Sequence, residues 1–548
     1  MPYQSSELNP AVRGSRISTS GDFSRQIRAI AISAPECLSG TKSGRALNSS
    51  DPVSLFNACR CAADLARGRE NGWAMSNWAT DRRNLREKFL LMYSLDEMEK
   101  LKELLLSERA NILLIGAMTI CMPGAIECAK AAKALLGDEI LIILGGRHIN
   151  ETMYLKDESN RLSSFVRHHA ASPSRLIRDR TIPPLFDVII AGEAEKVIAE
   201  IGELFSRSDH CPLSYIKKHL NTNTAGKWIA DFPRECTTLV SKGIALKRNA
   251  LPSVVKTFGV TASFDVFSKR MTSHLFSDTG PGCIYDCDFC SERRLITGGI
   301  QEIESAPHRL YRQLQETVDI IKRDYPNRLA SAFIEDSTFL SGSPAAITKL
   351  CQMLESHPID IIFGGQFTID QILRKKELIQ RLALSGMRYI FIGLETLDPS
   401  EIGGMNKDTQ RLKQSWKDRF LEAIDFMASN RIDCGCALLF GLGECHSSRK
   451  ELLRELITLK SIQGQPVAIS ANWAVQHPLR DCHESQNEDY LRWATPQGDL
   501  LNLFHRFGEA SVEYPLANVA PPQLDEVREL VGLLDEFEAA DGGNKWIK

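Results

Sequence analysis

Short apolar runs alternate along the chain with longer stretches in which apolar residues recur every three or four positions. RAIAISAP (28–35), NILLIGA (111–117), EILIILGG (139–146) and FDVIIAGE (186–193) are rich in Ile, Leu and Val and close on Gly or Pro. Apolar runs of roughly four to eight residues without strict alternation predict strands buried on both faces of a parallel sheet. Helical patterns separate them: LREKFLLMYSLDEMEKLKELLLSE before the second run, PGAIECAKAAKALLG after it, and AEKVIAEIGELF after the fourth. The alternation predicts a Rossmann-like, doubly wound α/β domain over residues 23–245. Ligands of such sheets sit beyond the carboxyl ends of the strands, which singles out the loops AMTICMPG (117–124), GGRHIN (145–150) and AGEAE (191–195).

A second series follows over residues 246–482. HLFSDTG, LASAFIED (329–336), IDIIFGGQF (359–367), YIFIGLET (389–396), CGCALLFGLGE (434–444) and PVAISANWAVQHP (466–478) read as six strands. Five amphipathic helical patterns lie between them, among them HRLYRQLQETVDIIKRDY and SSRKELLRELITLKSI. Six strands with five crossovers predict a partial (βα)6 barrel, whose chemistry belongs at the C-terminal ends of its strands. Residues 483–548 show no βα period and are expected to form a small helical cap with a strand-like ASVEYP; residues 1–22 read as a polar tail.

Composition narrows the function classes. The 548 residues are 43% hydrophobic and 25% charged, with a formal net charge of −3. No basic excess points to nucleic acid, and no apolar run is long enough to span a bilayer. The polar N-terminus lacks a signal-peptide core, so a cytoplasmic location is expected. Fifteen cysteines are an odd count in a large chain, which suits free thiols in a reducing compartment. Cys121, Cys128, Cys351, Cys434 and Cys436 lie in apolar elements as small buried hydrophobes, and Cys59 and Cys61 form a Cys-x-Cys pair on a predicted helix.

The strongest chemical signal is GPGCIYDCDFC, in which Cys283, Cys287 and Cys290 form a Cys-x3-Cys-x2-Cys triplet directly after the first barrel strand. Random placement would give this spacing about 1% of the time. A [4Fe–4S] cluster normally takes four thiolates, so three leave one iron open to a substrate or cofactor. That favours a catalyst over an electron carrier. A zinc loop or a set of buried thiols are the rival readings.

With this loop, Phe289 before its last cysteine and the strand-end strings in their order, the chain resembles the radical S-adenosylmethionine (SAM) methyltransferases that carry an N-terminal cobalamin-binding domain. The resemblance covers roughly residues 23–480. It implies a [4Fe–4S] cluster on Cys283, Cys287 and Cys290, with SAM and cobalamin as further cofactors. Glu335 and Asp336, which end the second strand, would meet the methionyl amine. Glu395 in GLET would meet the ribose, and Gly441, Gly443 and Glu444 in GLGE the adenine and methionyl groups. Gly145, Gly146, His148, Gly192 and Glu193 match the family's cobalamin loops. The Asp-x-His-x-x-Gly string that supplies a histidine to cobalt is absent, since Arg147 precedes His148, so no cobalt ligand is assigned.

The activity this implies is transfer of a methyl group from SAM, by way of methylcobalamin, to a non-nucleophilic centre of a small molecule. Radical capture reaches a carbon or P–H centre that a methyl cation donor cannot alkylate. An electron donor such as flavodoxin or ferredoxin is implied as a partner. Overall layout is most similar to the phosphinate P-methyltransferases of phosphinothricin-type antibiotic pathways. A carbon methyltransferase, a non-methylating radical cyclase and a non-catalytic iron–sulfur or zinc protein are the alternatives. Arg293, Arg294, Trp473, Gln476, His477 and Arg480 stand at the expected active-site end as candidates for an anionic substrate. Asp286, Asp288 and Tyr285 sit in the cluster loop, and VRHHAASPSRLIRDR (166–180) reads as a basic solvated loop.

Overall fold

The computed structural model describes residues 26–36, 52–67, 88–157, 164–208, 212–262, 265–267, 269–280, 282–293, 300–407, 414–478, 503, 506–507, 519–520 and 522–540. The N-terminal part holds nine strands: β1 (Ala29–Ser33), β2 (Phe89–Leu91), β3 (Ile112–Gly116), β4 (Leu141–Gly145), β5 (Met153–Asp157), β6 (Ser164–His168), β7 (Val188–Gly192), β8 (Trp228–Phe232) and β9 (Thr237–Val240). Seven form one sheet in the order β2-β1-β3-β4-β7-β8-β9, and β5 and β6 pair as a separate antiparallel ribbon. The five strands from β2 to β7 are parallel, whereas β8 and β9 close the edge antiparallel.

The four apolar runs become β1, β3, β4 and β7, and their alternate residues feed two cores. Ile30, Ile32, Leu113, Ile115, Ile142 and Leu144 pack under the helices Met98–Ser107 and Met122–Leu136. Ala29, Ala31, Ile112, Leu114, Leu141 and Ile143 pack with the helices Pro52–Arg67 and Glu195–Arg207. This two-sided burial explains why the runs carry no polar alternation. One expectation is corrected. The helical pattern over residues 85–108 is split: Phe89–Leu91 adds to the sheet beside β1, and Ser94 with Glu97 forms a capping box before the helix Met98–Ser107 begins.

The second sheet has the order β10-β11-β12-β13-β14-β15-β16, with β10 (Val260–Thr261), β11 (Arg270–Leu275), β12 (Leu329–Ile334), β13 (Ile362–Phe367), β14 (Met387–Glu395), β15 (Asp433–Phe440) and β16 (Ala468–Trp473). The six strands β11 to β16 are parallel and neighbours in chain order, with one or two helices over each crossover. This is the open half-barrel that the βα period predicts. Its outward residues, including Ile334, Phe363, Ile390, Ile392, Cys434, Cys436 and Leu438, join the helices in one core. Phe333, Tyr389 and Phe267 instead close the lower lumen. Most of the expected cap lies outside the described residues, as does ASVEYP; the helix Leu524–Ala539 packs against the helix His446–Gln463.

Candidate functional site

The carboxyl ends of both sheets open onto one cleft of about 760 Å³. From the N-terminal part it is lined by Gly116, Gly145, Gly146, Asn150, Gly192 and Glu193, and from the half-barrel by Asp278, Gly282, Glu292, Glu335, Asp336 and Thr338. Ion pairs hold the two walls together. Arg60 reaches Asp278 at 2.7 Å, Arg147 reaches Glu292 at 2.8 Å, and Arg248 binds Glu193. Sequence reasoning missed these bridges, because nothing in periodicity marks which charges meet between domains.

The cysteine loop lies between β11 and the helix Ala306–Asp324, with Gly282, Ser291 and Glu292 on the cleft wall. Glu292 organises it: its carbonyl accepts from the Cys283 N–H at 2.7 Å, and its carboxylate takes Arg147 and the Ser337 hydroxyl. The Cys283 sulfur contacts Thr338 Oγ1 at 3.5 Å, and the Glu292 N–H points to the Cys290 sulfur at 3.4 Å. Burial raises the Cys287 thiol, and burial beside Glu292 pushes Cys290 up to about 12. Metal loading must therefore displace thiol protons. Among the described residues no three His, Cys, Asp or Glu side chains gather round one point to hold a single ion. Three soft sulfurs on one loop match the thiolate ligands that an iron–sulfur cluster takes.

The residues that the resemblance assigns to SAM divide into two groups. Glu395 ends β14 in the left-handed region (φ +57°); Lys407 donates to its Oε1 at 2.6 Å, while its buried Oε2 has no hydrogen-bond partner among the described residues. An orphaned buried carboxylate oxygen is what a ribose hydroxyl would satisfy. Glu335 lines the cleft and accepts from His274 Nδ1 at 2.6 Å. Asp336, by contrast, is used internally. It accepts from the N–H groups of Ser277 (2.9 Å) and Leu340 (3.1 Å), and burial lifts its pKa to about 6. Glu444 is also committed to its own turn, accepting from the N–H groups of Gly441 and Leu442 and pairing with Arg449 at 2.6 Å. Gly441 is required there: at φ +80° a Cβ would stand 2.6 Å from the Trp473 indole nitrogen. Asp336, which also lines the cleft, and Glu444 thus hold loops in shape through their carboxylates.

The cobalamin assignments divide likewise. Gly145, Gly146, Gly192 and Glu193 line the cleft. Gly146 is demanded by its backbone, since at φ +110° a Cβ would meet Ala117 at 2.5 Å. The Glu193 carboxylate is taken by Arg248 and the Lys227 N–H. His148 is corrected: it is fully buried behind the wall, with Nδ1 3.2 Å from Thr119 Oγ1, Nε2 3.2 Å from the Ala171 carbonyl, and a pKa lowered to about 3 by burial. No histidine lines the cleft among the described residues.

Several other candidates have structural duties. Arg293 pairs with Asp288 at 3.2 Å and approaches Asp286 within the loop. Trp473 faces the outer core beneath Arg449. His477 is buried where the segment after β16 meets the N-terminal part, 3.4 Å from Thr119 Oγ1 and 3.7 Å from Glu151, and Gln476 is buried beside it. Arg294 and Arg480 lie outside the described residues. The stretch 166–180 is no solvated loop: it contains part of β6 and the helix Pro173–Arg178, with Arg178 bound to Asp231. Cys59 and Cys61 are buried in the core, where burial raises both thiols.

Alternation along the half-barrel strands identifies a lumen that the sequence did not. Side chains opposite in phase to the outer core are Glu335, Gln366, Phe391, Ala437, Leu439, Ser470 and Asn472. Gln366 and Ser470 are half-buried, and neither side chain hydrogen-bonds to another described residue.

No known family model matches the chain. It is similar to the hopanoid C-2 methylase of Rhodopseudomonas palustris (strain TIE-1), with 21% identity over 235 residues, 41% of this chain and 42% of the methylase. The chain thus matches about two fifths of that relative's length. It is also similar to the radical S-adenosylmethionine methyltransferase TsrM from Kitasatospora setae with cobalamin and a [4Fe-4S] cluster bound (11% identity, 82% of this chain, 72% of that chain, TM-score 0.48). A further likeness is to the cobalamin-dependent S-adenosylmethionine radical enzyme OxsB with aqua-cobalamin bound (14% identity, 78% of this chain, 52% of that chain, TM-score 0.46). The structural matches are likenesses in chain path, and nothing of the function follows from them alone.

Proposed function

We propose that the chain is a cobalamin-dependent radical SAM methyltransferase acting on a non-nucleophilic centre of a small molecule. One observation carries this reading: a three-cysteine loop at the end of the first half-barrel strand, whose flanking residues line a cleft also walled by the strand ends of a doubly wound domain. Cys283, Cys287 and Cys290 would hold the cluster. Glu395 would take a ribose hydroxyl on Oε2 and Glu335 the methionyl amine. The turn Gly441–Gly443, fixed by Glu444 and Arg449, would back the adenine. Gly145, Gly146, Gly192, Asn57 and Asn150 would face the corrin and its tail. When bound, these cofactors supply reductive cleavage of the sulfonium and a methyl group for radical capture. The chain's own part is to position them and to keep water out, which the paired walls serve.

A carbon acceptor has better support than phosphorus. Phe391, Ala437 and Leu439 give the lumen an apolar wall, and Gln366 and Ser470 offer neutral hydrogen bonds. A phosphinate anion would call for a cation in the lumen, where Lys407 is committed to Glu395 and His274 to Glu335; Lys227 and Lys242 line the cleft on the side of the first sheet. The name of the hopanoid methylase, a carbon methylase, agrees. A cytoplasmic setting and a flavodoxin or ferredoxin donor complete the proposal.

The test is anaerobic incubation of reconstituted protein with cobalamin, reductant and methyl-labelled SAM, offering C–H and P–H acceptors. Label in a carbon product is expected. Release of 5′-deoxyadenosine with label in no product would point to a cyclase or rearrangement, and label on phosphorus would restore the phosphinate reading.

A further inference from the structure

The segment Gly404–Lys407, downstream of β14, is clamped onto the cysteine loop. The Asp288 N–H donates to the Gly404 carbonyl at 2.9 Å, and Asn406 Nδ2 donates to the Asp286 carbonyl at 2.8 Å. The Asn406 backbone N–H is directed at the Cys287 sulfur. Gly404 permits the contact, since at φ +76° a Cβ there would lie 3.0 Å from the Asp288 Cβ. Lys407 then turns inward. Its ammonium, 15% exposed, donates to Glu395 Oε1 at 2.6 Å and to the Gly393 carbonyl at 3.2 Å, within electrostatic reach of both Cys287 and Cys290.

We propose that Lys407 is a positioning residue that sets the cluster's reduction potential and holds Glu395 in place for the nucleoside. This inference rests on the proposed function and deepens it. A buried cation beside a cluster stabilises the reduced form, which carries one more negative charge, and N–H groups aimed at cluster sulfurs act in the same direction. The Lys407 bond to Oε1 also leaves Oε2 as the unsatisfied oxygen, so the charge and the binding group belong to one unit. Nothing in the cysteine spacing or in GLET marks a lysine twelve residues downstream.

The test compares full-length wild type, Lys407→Met and Lys407→Arg after anaerobic cluster reconstitution. Each is measured for iron content, for midpoint potential by redox titration followed by paramagnetic resonance, and for SAM affinity from the change in that spectrum. Lys407→Met is expected to keep its iron, to shift the midpoint to more negative potential, and to bind SAM about tenfold more weakly, the scale of one charge-assisted hydrogen bond. Lys407→Arg should restore the potential. A Lys407→Met cluster with unchanged midpoint and unchanged affinity overturns the inference while leaving the functional reading intact. Wild type that takes up no cluster overturns both. Should Lys407→Met not fold, Glu395→Gln serves instead: loss of that negative charge must move the midpoint upward, and an unmoved midpoint again overturns the inference.

Discussion

Arg60 grips Asp278 with both terminal guanidinium nitrogens, at 2.7 and 3.0 Å, although 218 residues separate them in the chain. Arg60 lies on the helix Pro52–Arg67 of the first sheet, and Asp278 follows β11 of the second. A third bond, from Arg60 Nε to the Pro252 carbonyl at 3.0 Å, fixes the linking segment as well. The pair is buried, with side chains 3% and 9% exposed, so it fixes the spacing between the walls of the cleft.

Truncating one member of such a pair strands the other charge. Arg60→Met should therefore cost about 3–5 kcal/mol in urea unfolding, the range for breaking a buried ion pair. Asp278→Asn should cost less than that, and the double variant less than the two losses added together. Additive losses would show that the two groups act independently.

Cys287 is the most buried thiol of the triplet. Cys287→Ala should assemble little iron and release no 5′-deoxyadenosine, with unfolding stability reduced only by a small cavity. A variant retaining full iron content would show that this sulfur is not a cluster ligand.

How far the sequence could be read follows from the kind of signal involved. Apart from β2, each strand of both parallel series left a local trace, because a run buried on two faces must be apolar throughout. The edge strand β2, the antiparallel pair β8–β9 and the ribbon β5–β6 left none: Phe89–Leu91 is short and half-buried, and it lies within an amphipathic pattern. The cysteine loop was legible because metal ligation fixes residue type and spacing together. His148 was misread, and the internal bonds of Asp336 and Glu444 went unseen, for a common reason. Strings at strand ends look alike whether a side chain faces a ligand or ties down its own turn, and only geometry distinguishes N–H acceptors from open carboxylates. Lys407 and Gln366 were invisible, since their roles depend on which loops and faces meet in space.

Acid should loosen the junction between the two parts. Burial lowers His148 to about 3 and His477 to about 4, so both are neutral in the fold while an unfolded chain protonates them near pH 6.5. With folded values depressed, the unfolded state binds more protons throughout that window. Stability is then complete above about pH 6.5 and falls as pH drops toward 4, by an amount on the order of 3 kcal/mol for each histidine. Melting temperatures across this range should fall less steeply in His477→Gln. Parallel curves would assign the acid response to other groups.

Gln366 and Ser470 face the lumen, and among the described residues neither side chain has a hydrogen-bond partner. Gln366→Leu should leave cluster content and melting temperature within experimental scatter, because no internal hydrogen bond is lost. Acceptor KM should rise roughly tenfold, the worth of one neutral hydrogen bond or slightly more. An unchanged KM with lowered stability would make Gln366 a structural residue.

The two pairs that tie the facing strand ends together differ in how well they are shielded from solvent. On the proposed function, a corrinoid seated between these walls would lie beside Arg60–Asp278 and Arg147–Glu292, the pairs that tie one wall to the other. Raised ionic strength screens the more exposed Arg147–Glu292 pair before the buried Arg60–Asp278 pair, so on the proposed function salt should change the rate of cobalamin uptake through the first pair and leave the second in place.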